Sequence, residues 1–493
     1  MKENTPYQNK TIPHSSMSRV IRFGTDGWRG VIADDFTFPA VEQATRALAQ
    51  VWKEDPAPGA GTVVVGYDRR FLSEHFAAWV AHTLAEEGFR VVLASEPVPT
   101  PAVCLTIRKQ KAQGGVMITA SHNPPWYNGF KIKEQDGGAA GPKLCAKVEA
   151  RLNQVQISGK PVRPPISLAN VERRSLRPIH QAALIETVDW EVFTQTRLRV
   201  AHDAMFGCGA GYFTELLQRV DWPVTPLRQE VDPLFGGGQP EPIPQHYSPT
   251  LKRLRQDPHD VCLVNDGDAD RIGAIDEQGR PLTAHEVVAL LLLRFLTVHR
   301  DRVKGCVLKT VNTTTMIDRI CRAYGVEVVE TPIGFKILSD QIRSRPVFLA
   351  VEESGSIAWP EYLPDRDGIA AGFWLLEWIA RQRKPLSRLV RELHQAYGPH
   401  AYDRIGLKIP ADAAEKAISK LQESPPSHIL GRQVQNIVTI DGIKFILEDE
   451  SWVMIRRSGT EVLLRIYAEA ATQETVHRLL QWGQNFVESM QTS

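Results

Sequence analysis

A chain of 493 residues with 43% hydrophobic and 23% charged residues has the composition of a globular protein, long enough for about three or four domains. Its 58 basic and 57 acidic residues leave a net charge of +1, so no broad basic field is present to hold nucleic acid or an anionic membrane. A local group of arginines could still bind a small anion. The six cysteines (104, 145, 208, 262, 306 and 321) are scattered without a C-x-x-C pair or a His/Cys cluster. They read as reduced core thiols of a cytoplasmic protein rather than as disulfides or zinc ligands.

Residues 1–18 are polar and lack the apolar core of a signal peptide, and are expected to form a flexible tail. Three stretches then alternate short β-branched runs with amphipathic helical patterns. In the first, Val63-Val64-Val65, a helix over His75–Glu87, Arg90–Leu93, a further helix and Val116–Ile118 follow one another. A polar, proline-bearing stretch from Ser158 to Pro178 reads as the first inter-domain connection. In the second stretch, Leu198–Ala201 leads through a Gly207–Gly211 turn to a helix near Tyr212–Val220, and Val261–Val264 is the next strand. The third opens on the apolar run Val287–Val298, which Arg294 interrupts and which falls short of the roughly 20 residues of a membrane span, so a buried helix is expected. It continues through Val307–Val311, a helix over Thr314–Tyr324, Val326–Val329, a helix over Phe335–Arg343, and Val347–Val351. Such alternation implies β-α units and largely parallel sheets. After about His400 a helix over Asp412–Glu423 is followed by runs near Ile437–Ile440, Phe445–Leu447, Val453–Ile455 and Leu463–Ala468, then a last helix. That order describes an antiparallel α+β domain.

The segment Thr119-Ala120-Ser121-His122-Asn123-Pro124-Pro125 places a hydroxyl nucleophile directly after the buried run Gly115–Ile118. The two prolines forbid a helix and stiffen the backbone, and the C-terminal end of a strand is where an open α/β sheet carries its chemistry. Ser, Asn and Pro also make ordinary turns, so these residues alone leave a plain strand-to-loop turn open. A second segment, Asn265-Asp266-Gly267-Asp268-Ala269-Asp270-Arg271, sets three carboxylates at alternate positions between two apolar runs. Hard oxygen donors at that density suit Mg²⁺ or Ca²⁺, and without a cation they would repel one another unless solvated. Glu277 falls twelfth from Asp266, as in an EF-hand, but Arg271 stands sixth, where that loop needs glycine, and the flanks read as strands. A third segment, Arg456-Arg457-Ser458-Gly459-Thr460-Glu461, combines arginine forks, hydroxyls and a glycine, the groups that bind phosphate. Alone it is equally a hairpin turn. Val351-Glu352-Glu353-Ser354-Gly355-Ser356 could offer acid and hydroxyl groups to a sugar, and Phe23-Gly24-Thr25-Asp26-Gly27-Trp28-Arg29-Gly30 is a glycine-rich turn bearing one arginine; each is weak alone.

Taken together, these loops resemble those of the α-D-phosphohexomutase family, which includes phosphoglucomutases, phosphomannomutases and phosphoglucosamine mutases. The resemblance runs from about Arg22 to Glu469 and includes Gly66-Tyr67-Asp68-Arg69-Arg70, Pro99-Thr100-Pro101, Thr331-Pro332-Ile333-Gly334 and Asp441-Gly442-Ile443-Lys444. It implies three α/β/α domains with mixed sheets and a C-terminal α+β domain around a central cleft, here bounded as 19–160, 180–282, 283–398 and 400–493. It further implies a phosphoserine at Ser121, whose phosphate joins Asp266, Asp268 and Asp270 in holding Mg²⁺. Arg29 and His122 would assist, and Lys131 matches the family's proposed general acid/base, although a lysine with a solvated tip is the bland alternative. Glu352 and Ser354 would bind sugar hydroxyls. Arg456, Ser458, Gly459 and Thr460 would hold the phosphate that is not reacting, with Arg271, Thr331 and Gly334 also toward substrate.

The activity implied is interconversion of hexose 1-phosphate and hexose 6-phosphate through a hexose 1,6-bisphosphate, with sugar phosphates as the only partners and a monomer or dimer as the assembly. Ser356, where many mannose- and glucosamine-specific members carry histidine, and the string Glu352-Glu353-Ser354 lean toward glucose, then mannose, with glucosamine behind. Arg457 and Val462 replace the family's usual prolines. A hexose 1,6-bisphosphate synthase would use the same phosphoserine. A serine hydrolase would need a G-x-S-x-G elbow, which is absent, and a mere sugar-phosphate sensor would not need Ser121, the three aspartates and Arg456 together.

Overall fold

The computed structural model describes residues 21–56, 61–157, 170–457 and 463–490, apart from the side chains of Ala411 and Asp412. The tail at 1–18 lies outside the described residues. Packing divides the chain into two compact units. One contains the residues up to Ile185 with Ala201–Asp257 and Leu263–Asp270, and the other contains Glu186–Val200, Pro258–Cys262 and everything from Arg271 onward.

In the first unit, the all-buried run Val63-Val64-Val65 lies inside a six-stranded sheet. The strand order is Trp28–Val31, Tyr127–Lys133, Gly114–Ile118, Thr62–Tyr67, Arg90–Ala94, Val171–Arg174. Tyr127–Lys133 runs antiparallel to both its neighbours and the remaining pairs are parallel, so the sheet is mixed. The helices Phe38–Glu54, Ser73–Glu86, Thr100–Gln110 and Pro142–Arg151 cover it, as continuous β-branched runs require. One expectation is corrected here. Val171–Arg174, inside the stretch read as a connector, pairs with Arg90–Ala94 as an edge strand, and Pro178 sits in the first turn of the helix Arg177–Glu186, where its missing N–H costs nothing. A smaller sheet lines up Val224–Leu227, Val200–Asp203 and Val261–Asn265; its first expected strand begins at Val200 rather than Leu198.

The second unit holds a sheet ordered Val328–Thr331, Cys306–Thr310, Val347–Val351, Ile357–Ala358, parallel except at its last pair. Beside it, the apolar helix Ala284–Val298 is buried, as expected, and its Arg294 is neutralised by Glu377 of the helix Gly368–Gln382 at 2.6 Å. Both groups are fully buried, which is tolerable only because each charge meets the other. Among the described residues no helix is long and apolar enough to cross a membrane, and all six cysteines are buried thiols. The C-terminal sheet is antiparallel throughout, in the order Ala401–Leu407, Leu464–Ala470, Trp452–Arg457, Ile443–Leu447, Arg432–Val438, His428–Ile429. The period-two alternation of its strands makes two cores. Val453, Ile455 and Ile466 face the helices Ala411–Glu423 and Gln473–Ser489, while Trp452, Met454 and Tyr467 turn the other way and pack on Val311. Three α/β layers and one antiparallel domain are therefore present, as the sequence pattern implies.

Candidate active site

Ser121 follows the strand Gly114–Ile118 with φ of +51°, a left-handed conformation that a residue with a Cβ adopts only when its surroundings impose it. Several buried groups impose it. The Ser121 N–H donates to Thr119 Oγ1 at 2.9 Å, and Thr119 Oγ1 donates in turn to Asp68 Oδ2 at 2.6 Å. Asp68 also accepts from Ser73 Oγ and from the Arg70 N–H. The Arg70 guanidinium reaches across the loop and donates to four carbonyls: Ser121 at 2.6 Å, Asn123 at 2.7 Å, Pro124 at 2.8 Å and Tyr127 at 3.2 Å. Its Nε lies 3.2 Å from Asp68, and both side chains are fully buried. Burial pushes the Asp68 carboxyl up and the Arg70 guanidinium down, and each is opposed by the other's charge.

The acidic loop meets this turn directly. Ser121 Oγ donates to Asp266 Oδ2 at 2.8 Å, with His122 Nδ1 at 3.4 Å. A Cβ on Gly267 would stand 2.6 Å from the Ser121 carbonyl oxygen, so only glycine lets the two loops approach this closely. Asp266, Asp268 and Asp270 are buried and bring one carboxylate oxygen each within 4.8 Å of the others. The loop runs between the strands Val261–Asn265 and Ile272–Asp276, which disposes of the EF-hand alternative. Lys131, on the strand Tyr127–Lys133, is 1% exposed and places Nζ 2.8 Å from Asp268, 2.9 Å from Asp270 and 2.8 Å from Asp26. It is therefore a buried counter-charge and not a surface lysine. Thr100 Oγ1 donates to Asp268 Oδ2 at 2.5 Å, and Arg29 Nη1 donates to Asn123 Oδ1 at 2.5 Å beside the serine. Carboxylates outnumber lysines in this cluster, and an oxygen-only donor set with that charge fits a hard divalent cation.

The second unit carries the other loops. After the strand Val347–Val351, Ser354 Oγ hydrogen-bonds Ser356 Oγ at 2.9 Å, and Glu352 Oε2 lies 3.9 Å from Arg366 Nη1. Arg366 rests over the Phe335 ring at 4.7 Å. Glu353 instead accepts from Arg404 at 3.0 Å; burial works to raise its pKa, but Arg404 and His285 hold it below the usual carboxylate range. Thr331 Oγ1 donates to the Pro332 carbonyl at 3.1 Å, and Gly334 precedes the helix Phe335–Ser344. Asp441 ties this turn to the last sheet, accepting from the Ile333 N–H at 3.0 Å and from Arg456 Nε at 2.9 Å. Arg457 is half exposed and pairs with Glu415. Arg271 is half-buried, with its carbonyl against Gly368. Ser458, Gly459 and Thr460 lie outside the described residues.

The structure thus gathers Ser121, His122, Lys131 and the three aspartates in one unit, with Arg29 alongside. In the other it gathers Glu352 with Ser354, and Thr331 and Gly334 with Arg456. Asp26, Asp68, Arg70, Thr100 and Asp441 are the supporting residues whose roles sequence reasoning did not assign. All five lie in the short segments already singled out, so proximity to those segments was the available signal.

A buried, conformationally strained serine bonded to a three-aspartate loop, on three α/β layers and an antiparallel domain, defines an enzyme of phosphoryl transfer. Family models described as phosphoglucomutase/phosphomannomutase match in order: alpha/beta/alpha domain I over residues 20–157, domain II over 179–279, domain III over 284–397, and the C-terminal domain over 407–481. The chain belongs to this α-D-phosphohexomutase family, whose members are phosphotransferase mutases. It is 30% identical over 470 residues to a probable phosphoglucosamine mutase of Methanothermobacter thermautotrophicus, covering 95% of this chain and 98% of that one. It is also 30% identical over 476 residues to a phosphopentomutase of Thermococcus kodakarensis, covering 94% and 97%. A crystal structure of a Thermus thermophilus protein provisionally named a phosphomannomutase superposes with a TM-score of 0.82 at 35% identity, covering 96% of this chain and all of that one.

Proposed function

We propose that the protein is a hexose-phosphate mutase that carries its phosphoryl group on Ser121 and passes it between the 1- and 6-hydroxyls of a glucose phosphate. The observation that carries this reading is the strained, buried Ser121 hydroxyl bonded to Asp266 within the three-aspartate loop. In the first half-reaction the bond from Ser121 Oγ to phosphorus breaks while a hexose hydroxyl oxygen bonds to the same phosphorus; the hydroxyl loses a proton and Ser121 Oγ takes one up, so the serine hydroxyl is restored. The product is a hexose 1,6-bisphosphate, which turns over and returns its other phosphoryl group to Ser121. Mg²⁺ held by Asp266, Asp268 and Asp270 would draw charge from the transferring group. Arg29, which donates to Asn123, and His122, 3.4 Å from Ser121 Oγ, would meet the phosphoryl oxygens.

Lys131 is ion-paired with Asp268 Oδ2 and Asp270 Oδ2, two of the three carboxylates that would hold the cation. Those oxygens favour its ammonium form, so it acts as a proton donor until they are engaged elsewhere, and only then can it accept a proton. Glu352 and Ser354 bind the sugar hydroxyls. Arg456 with Ser458, Gly459 and Thr460 grips the idle phosphate, and Arg271, Thr331 and Gly334 complete the substrate contacts. The six buried thiols fit a cytoplasmic enzyme.

A glucosamine phosphate is the second reading. The Glu352 carboxylate could pair with a sugar ammonium, and the Methanothermobacter relative bears a phosphoglucosamine mutase name. If the bisphosphate leaves faster than it reorients, the same site is a bisphosphate synthase.

The purified protein should carry phosphate on Ser121, read by mass spectrometry of the peptide. Ser121→Ala should remain folded and lose turnover by at least about a thousandfold. Near-normal turnover in that variant overturns the mechanism. Glucose, mannose and glucosamine phosphates, each with and without glucose 1,6-bisphosphate, separate the sugars, and comparing bisphosphate release with isomerisation separates mutase from synthase.

A further inference from the structure

A second cluster of metal-ligand type lies wholly within the second unit and takes no part in the reaction described above. His285 is the second residue of the helix Ala284–Val298, whose capping residue is Thr283. Its side chain is buried, and neither ring nitrogen has a hydrogen-bond partner. Its ring centre lies 5.2 Å from that of His400, which immediately precedes the strand Ala401–Leu407. The His400 side chain is 2% exposed, and its Nε2 also has no hydrogen-bond partner. Glu469, on the adjoining strand Leu464–Ala470, completes the group. Its Oε1 is fixed by the Thr315 N–H at 3.0 Å and by Thr315 Oγ1, while Oε2 accepts no hydrogen bond and lies 3.4 Å from His400 Nδ1.

One donor atom from each residue falls within 4.8 Å of the other two. Native interiors pair their buried polar groups, so two imidazoles and a carboxylate left open toward one another form an arrangement that a shared partner would complete. Water could bridge two of them. Neutral imidazole nitrogens together with an ionised carboxylate oxygen form the donor set that zinc prefers, and it differs in kind from the oxygen-only set of the three aspartates. Thr315 supplies the outer hydrogen bonds that orient a ligating carboxylate.

We propose that His285, His400 and Glu469 bind a zinc ion that fastens the C-terminal antiparallel sheet to the helix Ala284–Val298. The site is structural: it joins elements that are far apart in the chain and lends no group to phosphoryl transfer.

Full-length protein prepared without a histidine tag and dialysed against a mild chelator should retain about one equivalent of zinc by elemental analysis. That zinc should survive a large excess of Mg²⁺. Replacing it with cobalt should give the visible absorption of a low-coordinate nitrogen-oxygen site, and a strong chelator should lower the melting temperature. His285→Phe and the gentler His400→Gln and Glu469→Gln should each lose the metal, whereas Asp268→Asn should keep it. If His285→Phe fails to fold, the two polar variants decide. Wild-type protein that holds no zinc after loading overturns the proposal, as does zinc lost on Asp268→Asn and retained in the three ligand variants.

Discussion

The loops around Ser121 and Ser354 both leave the end of a buried strand, yet they are held by different means. Around Ser121 a single guanidinium donates to four backbone carbonyls and is itself fixed by a buried carboxylate. Around Ser354 the contacts include a hydroxyl pair with Ser356 at 2.9 Å and a 3.9 Å approach of Glu352 to Arg366. Bond making needs reacting atoms fixed to a fraction of an ångström, whereas recognition of a sugar needs only a few side chains that can be exchanged. The first loop is clamped by a distant side chain, whereas the second is closed by its own backbone, the Glu352 N–H donating to the Ser356 carbonyl at 3.0 Å, so the two should respond differently to mutation.

Among the residues that hold the two loops, the largest effect should come from Arg70. Arg70→Met removes the donors to all four carbonyls and leaves Asp68 buried without its counter-charge, which should cost about 3–5 kcal/mol of stability. Release of the left-handed turn should lower kcat about a hundredfold with little change in KM. Arg70→Lys should recover part of the stability and little of the rate, because an ammonium cannot reproduce the planar fork. Urea unfolding and steady-state kinetics read both effects. A near-normal kcat in the methionine variant would show that the turn does not depend on the clamp.

His202 extends the rigid region behind the acidic loop. Its Nε2–H donates to Asn265 Oδ1 at 2.9 Å, and Gln229 donates to its Nδ1 at 3.0 Å, an arrangement that needs the neutral ring. Burial lowers its pKa to about 4, against the opposing influence of Asn265 and Asp203. The folded value lies below the unfolded value of about 6.5, so between these limits the unfolded chain binds a proton that the native chain refuses. The stability is complete above about pH 6.5 and is lost as the pH falls toward 4, by about 3 kcal/mol for this one group. His202→Gln should flatten that part of the profile. Unfolding midpoints at neutral and mildly acid pH for both proteins measure the difference, and identical slopes would remove His202 as the cause.

On the recognition side, Glu352→Gln and Ser354→Ala should lower kcat/KM for the preferred hexose by about 10–100-fold, equivalent to about 1–3 kcal/mol. Phosphorylation of Ser121 should be unchanged, because neither residue belongs to the serine turn. If turnover of glucose, mannose and glucosamine phosphates falls equally, the loop does not read the sugar.

The same division explains what was legible in the sequence. Ser121 and the three aspartates stand in contiguous segments whose chemistry shows at short range, and the β-α alternation marks most of the three layers. The clamp was not legible, because Arg70 lies 51 residues from Ser121 and Thr100 lies 168 from Asp268, and only the folded sheet brings them together. Val171–Arg174 was missed because an edge strand with the sequence VERR buries little and shows no apolar alternation. The strand Ala401–Leu407 and the helices Gly368–Gln382 and Leu386–Tyr397 were passed over for a related reason: the strand has mixed polarity, and the first helix is apolar on nearly all sides. His285, His400 and Glu469 share no local pattern at all. Their meeting is a product of domain packing within the second unit.

Arg457 gives the smallest expected effect and the sharpest check on how the phosphate loop is read. Its sequence position, beside Arg456 and in place of the family's usual proline, allows either a phosphate contact or a solvent-facing side chain. The structure pairs it with Glu415 where both side chains are more than half exposed, whereas Arg456 is largely buried and fixed by Asp441 at 2.9 Å. Exposed ion pairs of this kind contribute about 0–1 kcal/mol, so Arg457→Ala should leave the unfolding midpoint nearly unchanged. Arg456→Ala should raise KM for the sugar phosphate by about tenfold or more, since a partly buried charge-assisted contact is worth about 1.5–3 kcal/mol. A comparable rise in KM for Arg457→Ala would mean that its side chain leaves Glu415 for the substrate phosphate, and the loop would then bind with two arginines instead of one.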